Sequence, residues 1–208
     1  MTPRKTPPLS PHFPRAVRSI RSVLAGLAAV FGALLIPSPA TAQDFVEDFE
    51  SLSTELPGWS ATRNIPDGPE YRPAAQWDTP FSFALDNDKP HAGSISLRLE
   101  FSADLSDILQ FGPPPIPASG KIEIRFFVRT EGLAEDGVFS FDEMSSATTR
   151  VKSNWAVAKI PTSGDWTEVV WSGELDPETS FVRLRFVWKT SPAGAKIWID
   201  DLTIKAPN

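Results

Sequence analysis

"KIEIRFFVRT", residues 121–130, decides the fold class. Ile122, Ile124, Phe126 and Val128 alternate with Glu123, Arg125, Phe127 and Arg129. Side chains of an extended strand point to opposite faces in turn, so this spacing makes one apolar face and one largely polar face. A helix would scatter the same residues around its circumference. The pattern recurs on both sides of this stretch. "SISLRLEF", residues 94–101, sets Ile95, Leu97, Leu99 and Phe101 against Ser94, Ser96, Arg98 and Glu100. "FVRLRFVWK", residues 181–189, sets Val182, Leu184, Phe186 and Trp188 against Arg183, Arg185, Val187 and Lys189. "GVFSFDE" (137–143) and "TEVVWSG" (167–173) are shorter runs of the same kind. Turn-forming clusters separate them: "PDGPE", "DNDKPHAG", "FGPPPIPASG", "SGD", "ELDPET" and "SPAGA". Many short, half-polar strands with such punctuation predict an all-β, antiparallel β-sandwich of jelly-roll type. Residues 57–90 are irregular and Pro-rich, and read as long loops with one or two short strands. Pro113, Pro114, Pro115 and Pro117 read as a stiff connector, because proline cannot donate to a sheet ladder.

The N-terminal stretch is of another kind. Residues 1–22 carry five Lys or Arg and no acid, an apolar run "VLAGLAAVFGALLI" follows at 23–36, and Ala40 and Ala42 form an A-x-A site. This is the layout of a secretory signal peptide over residues 1–42. The apolar run is shorter than the roughly twenty residues a membrane-spanning helix needs, while the long basic stretch ahead of it keeps an uncleaved membrane anchor as the alternative reading. Cleavage near Ala42 leaves residues 43–208 as a single β-sandwich domain, secreted or periplasmic. The chain has no Cys, which excludes a lipid-anchored cysteine and disulfide support. Its formal net charge is −6, and losing the five leader cations takes it to −11. Such a surface repels nucleic acid and anionic membranes, so neither is expected as a partner.

Three separated motifs then line up. "EDFESLSTELPGWS" (47–60) holds a Phe49–Glu50 pair and Gly58–Trp59; "HAGSISLRLEF" (91–101) opens a strand after a Gly-Ser turn; "SGDWTEVVWSGEL" (163–175) is followed by "AKIWIDDLTI" (195–204). This ordered set resembles the jelly-roll carbohydrate-binding modules of the galactose-binding-domain-like superfamily, of the family four and nine type. The resemblance implies glycan recognition without catalysis. It also implies a structural Ca2+ tying the N-terminal segment to the last strand, with Glu50, Asp200 and Asp201 as its carboxylates. Calcium takes oxygen ligands, and a cation would offset the repulsion of adjacent acids.

A poly- or oligosaccharide is bound by stacking its C–H faces on aromatic rings while polar groups meet its hydroxyls. Trp59, Trp166 and Trp188 fit the core. Tyr71, Trp77, Phe127, Trp155 and Trp198 fall out of phase with the apolar faces and are the candidate binding aromatics, with Arg125 beside them. Arg125, Arg129 and Arg183 read as a cationic stripe on one sheet face. Catalytic vocabulary is thin: His91 is the sole His after the leader, and no G-x-S-x-G elbow, nucleophilic Cys or phosphate loop accompanies it. Two alternatives to glycan binding stay open. One is docking to an exported protein partner. The other is a small enzyme: a polysaccharide lyase using Tyr71, His91 and Arg125, or a glycoside hydrolase using one of many acid pairs, Asp86 and Asp88, Glu135 and Asp136, or Asp142 and Glu143.

Overall fold

A computed structural model describes residues 44–52 and 56–206; the leader read at 1–42 lies outside them. Alternation becomes strand wherever the sequence shows it. In chain order the strands are β1 (Phe45–Glu47), β2 (Ser60–Ile65), β3 (Gly68–Pro73), β4 (Phe81–Asp86), β5 (Ser96–Phe101), β6 (Ile108–Gly112) and β7 (Ile116–Pro117). They continue as β8 (Lys121–Glu131), β9 (Gly137–Met144), β10 (Arg150–Ile160), β11 (Thr167–Glu174), β12 (Phe181–Trp188) and β13 (Lys196–Lys205). One sheet runs β11-β8-β13-β5-β4, with β1 added to β13. The other runs β10-β9-β12-β6-β2-β3, with β7 added to β12. Every pairing is antiparallel. From β10 onward the chain alternates between sheets strand by strand, as a jelly roll requires.

The apolar faces named from the sequence are the ones buried. Ile122, Ile124, Phe126 and Val128 of β8 face Val182, Leu184, Phe186 and Trp188 of β12, and all eight are essentially inaccessible. Phe126 bridges the sheets, 5.0 Å from Phe139 and 4.9 Å from Phe186 between ring centroids. Trp59 and Trp188 are buried with them. Burying each such aromatic contributes on the order of 2 kcal/mol from area alone. No cysteine is needed where the core is this continuous.

Two stretches differ from the sequence reading. Residues 57–90 hold three six-residue strands, β2, β3 and β4, rather than loops with one or two. Pro69 and Pro73 hid β3, and they are tolerated because β3 is the edge of its sheet. β10 spans eleven residues but hides its period, since its register on β9 shifts between Asn154 and Ala158 and Ala156 takes φ 51°. The proline connector behaves as expected, apart from Pro117, which pairs with Phe181 through β7 at the margin.

Both ends of the described chain adjoin. Phe45, Val46 and Glu47 pair with Ile204, Thr203 and Leu202. A second bulge lies in β13, where pairing with β8 skips from Asp200 to Thr203 and Asp201 takes φ 49°. That bulge is what lets two adjacent acids share a strand: each is re-aimed and finds its own partner.

Candidate functional site: a cleft across the seven-stranded sheet

Because Ala61, Leu109, Phe111, Leu184, Phe186, Phe139 and Phe141 point into the core, their neighbours in sequence point out. Those neighbours include Ser60 and Thr62 on β2, Gln110 and Gly112 on β6, Arg183 and Arg185 on β12, and Asp142 on β9. With Tyr71 on β3, the Pro113–Pro115 segment, Ala147 and Arg150, they line a cleft of about 610 Å³. Its floor is kept low by Gly112, since a Cβ there would collide with the Leu184 carbonyl oxygen. Its proline wall closes on Gly58, which takes φ 76° and leaves no room for a side chain beside Pro114.

Charge in the cleft is set by guanidinium groups. Arg185 donates to Asp142 at 2.8 Å and to the Ser153 hydroxyl at 2.9 Å. Arg183 donates to the Ala147 carbonyl at 2.9 Å, fastening the 145–149 loop to β12. Arg150 lies 3.9 Å from the same Asp142 oxygen. Burial holds Arg185 below the ordinary arginine range; Asp142 opposes that, while the charges of Arg150 and Arg183 add to it. Two aromatic side chains stand at the two ends of the sheet, Tyr71 67% exposed and Trp155 51% exposed. Trp155 lies with the Arg185 guanidinium 5.6 Å from its ring centroid. Among the described residues these are the two aromatics counted with the exposed large hydrophobics.

The other expected binding residues sit elsewhere. Trp77 is buried, stacked on Phe81 at 4.5 Å under the Arg72 guanidinium, so its ring is not open to a sugar. Trp198 is buried too; its indole N–H donates to Asp86 at 2.8 Å, and Lys89 and Arg129 cover the ring. Its position out of phase with the apolar face was read correctly, but the 86–95 loop folds over that face. Phe127 is half-buried, stacked 3.5 Å from His91. Arg125 is held by Glu123 and Glu168. The expected stripe of Arg125, Arg129 and Arg183 does not form, because the first two belong to β8 of one sheet and the third to β12 of the other. For the same reason Tyr71 is separated from His91 and Arg125. Arg150, Arg185, Asp142 and Gln110 were missed. The i, i+2 spacing of Arg183 and Arg185 was their only signal, since the rest come from separate strands.

Glu50, Asp200 and Asp201 do share one loop. Glu50 Oε1 accepts the backbone N–H groups of Ser94 and Ile95 at 2.6 and 2.8 Å. Asp200 Oδ2 accepts those of His91 and Ala92, and Oδ1 that of Asp201. Asp201 Oδ2 is 2.6 Å from His91 Nδ1. Burial pushes the Asp200 carboxyl up to about 6, with the Asp201 charge adding to it and the N–H donors opposing. Backbone N–H groups of the 91–95 loop meet one Glu50 oxygen and one Asp200 oxygen, and among the described residues no three His, Cys, Asp or Glu gather as metal ligands. A calcium shell would need these oxygens to converge on one point.

No protein-family model matches the chain, and no curated protein matches it. Solved structures do. The CBM22-1 xylan-binding domain of Xyn10C from Paenibacillus barcinonensis aligns at TM-score 0.50 and 12% identity, over 81% of this chain and 97% of that domain. TmCBM61, solved with β-1,4-galactotriose, aligns at TM-score 0.50 and 13% identity, over 77% and 94%. The enzymatically active domain of tailspike protein 4 from bacteriophage CBA120 aligns at TM-score 0.53 and 13% identity, over 72% of this chain but 19% of that one. Identities this low speak for the fold and leave the family four and nine likeness to the motifs alone. The chain is an antiparallel jelly-roll sandwich of the kind that carbohydrate-binding modules share.

Proposed function

We propose that the chain is an exported, non-catalytic glycan-binding protein whose ligand lies in the cleft of the seven-stranded sheet. The observation that carries this reading is exposed Tyr71 in the cleft lining and exposed Trp155 beside the cleft against Arg185, with polar groups between them. The solved neighbours' own ligands, xylan and galactotriose, support the class of ligand. In the cleft's lining Asp142 is the one carboxylate among the described residues and is tied to Arg185. Hydrolysis of a glycoside by the usual route asks for two carboxylates. Export rests on the leader at residues 1–42.

Affinity electrophoresis against a panel of soluble polysaccharides tests the reading. Tyr71→Ala and Trp155→Ala are each expected to weaken retardation about tenfold, roughly 1.4 kcal/mol, with melting unchanged. Retardation insensitive to both substitutions would remove the cleft from the reading. Release of reducing ends or unsaturated uronates would replace binding with catalysis. The calcium proposal rests on the motif resemblance and has its own test. A rise in melting midpoint with calcium, reversed by chelator, supports it; identical melts dismiss it.

A further inference from the structure

The cleft's charge stands against that of the whole chain. The protein has 26 acidic and 20 basic residues, yet three guanidinium groups meet one carboxylate here. The five other arginines of the described residues, Arg63, Arg72, Arg98, Arg125 and Arg129, each have a carboxylate within ion-pair distance, Arg129 sharing Glu131 with Lys89. Arg183 has none among the described residues and is held by the Ala147 carbonyl. Arg150 is 59% exposed, and the Asp142 oxygen 3.9 Å away is already taken by Arg185. Unbalanced cations of this density cost electrostatic energy unless an anion joins them. They are all arginine, whose planar fork matches the two oxygens of a carboxylate or sulfate.

We infer that the cleft is selective for an anionic glycan, one whose sugar carboxylate or sulfate is received by Arg150 and Arg183 while its rings lie along Tyr71 and Trp155. This rests on the reading of the cleft as a glycan site and narrows its ligand class. Arg185 is the positioning member: Asp142 and Ser153 lock its side chain, and its guanidinium lies near the face of Trp155. The cluster then sets which glycans are accepted, and the aromatics set how their rings lie.

The test is isothermal titration of the intact protein with five probes: neutral xylan, neutral galactan, polygalacturonate (carboxylate), carrageenan (sulfate), and polyglutamate as a non-sugar polyanion. One or both anionic polysaccharides are expected to bind at least tenfold more tightly than the neutral ones, with the difference shrinking as salt rises. The stronger of the two identifies carboxylate or sulfate as the group received. Arg183→Ala and the well-exposed Arg150→Glu should each lower affinity for the anionic glycans far more than for the neutral ones, erasing most of that preference, and Arg150→Glu should do so with the melt unchanged. Equal affinity for neutral and anionic glycans, indifferent to both substitutions, would overturn the selectivity and leave the glycan reading standing. Polyglutamate bound as tightly as the acidic glycans, regardless of Tyr71 and Trp155, would overturn it in favour of an acidic protein ligand. Binding to none of the polysaccharides would overturn both.

Discussion

Glu143 shows how much a single position can conceal. The sequence presents it beside Asp142 as one of many acid pairs, yet successive strand residues face opposite ways. Asp142 looks into the cleft, while Glu143 is 1% exposed at the sandwich's end. Its carboxylate accepts the Asp176 N–H at 2.6 Å, the Thr179 hydroxyl at 3.0 Å and the Asn154 amide at 2.8 Å. Burial favours its neutral form, but the hydrogen bonds prevail and hold the carboxyl below the ordinary glutamate value of 4.5. A group depressed in the folded state contributes stability above its unfolded value and loses it as pH falls through the folded one. Glu143→Gln should therefore cost about 1–3 kcal/mol at pH 7, with a smaller penalty below pH 4.5. Urea melts at the two pH values measure both, and a penalty that grows on acidification would contradict the assignment. Asp86 obeys the same logic from the other sheet. It accepts the buried Trp198 indole N–H and pairs with Arg98 at 3.0 Å. Asp86→Ala strands both donors and is expected to cost about 1–3 kcal/mol by the same measurement.

At the scale of elements, what was legible is what obeys period two. β5, β8 and β12 were readable because nearly every inward residue is apolar and most outward ones are polar. β3 and β10 were not, for opposite reasons. β3 is an edge with prolines and few buried side chains, so burial leaves little trace in its composition. β10 does alternate locally, but its bulge inserts residues that throw the phase. The pairing of β6 with β12 shows a constraint that periodicity never reveals. Gly112 sits so close to the Leu184 carbonyl that any Cβ forces the strands apart. Gly112→Ala is expected to lose about 1–3 kcal/mol through this overpacking and to weaken glycan binding as the cleft floor deforms. Thermal melting and titration on the same variant check the two effects; an unchanged melt would show that the strands yield freely.

Over the whole molecule, the site was the least legible feature, because it is assembled from short pieces of β2, β3, β6, β9, β10 and β12. Its longest continuous piece, residues 110–115, carries no charged side chain to mark it. Three of the five candidate aromatics were set aside by what lies over them, a tertiary fact that phase on a strand does not carry. The meeting of the termini, by contrast, was readable from the motifs, since Glu50 and Asp200 do grip the same 91–95 loop. Phe49, fully buried, anchors that N-terminal segment to Trp59. Removing residues 44–50 should thus cost at least the 3 kcal/mol or so of a lost core phenylalanine. For a domain of this size that is roughly 6–12 °C in melting midpoint. Calorimetry of the truncated chain against the full one gives the number, and a shift under a degree would mean the segment is ornamental to stability.

β1 and β13 run through the sheet opposite the one that carries the cleft. A tether attached after residue 206 therefore departs from the end of a strand in that opposite sheet. Immobilised by that end on a sensor chip, the protein would keep its cleft-bearing sheet off the surface, whereas a cargo spliced into the 145–149 loop would stand in the doorway.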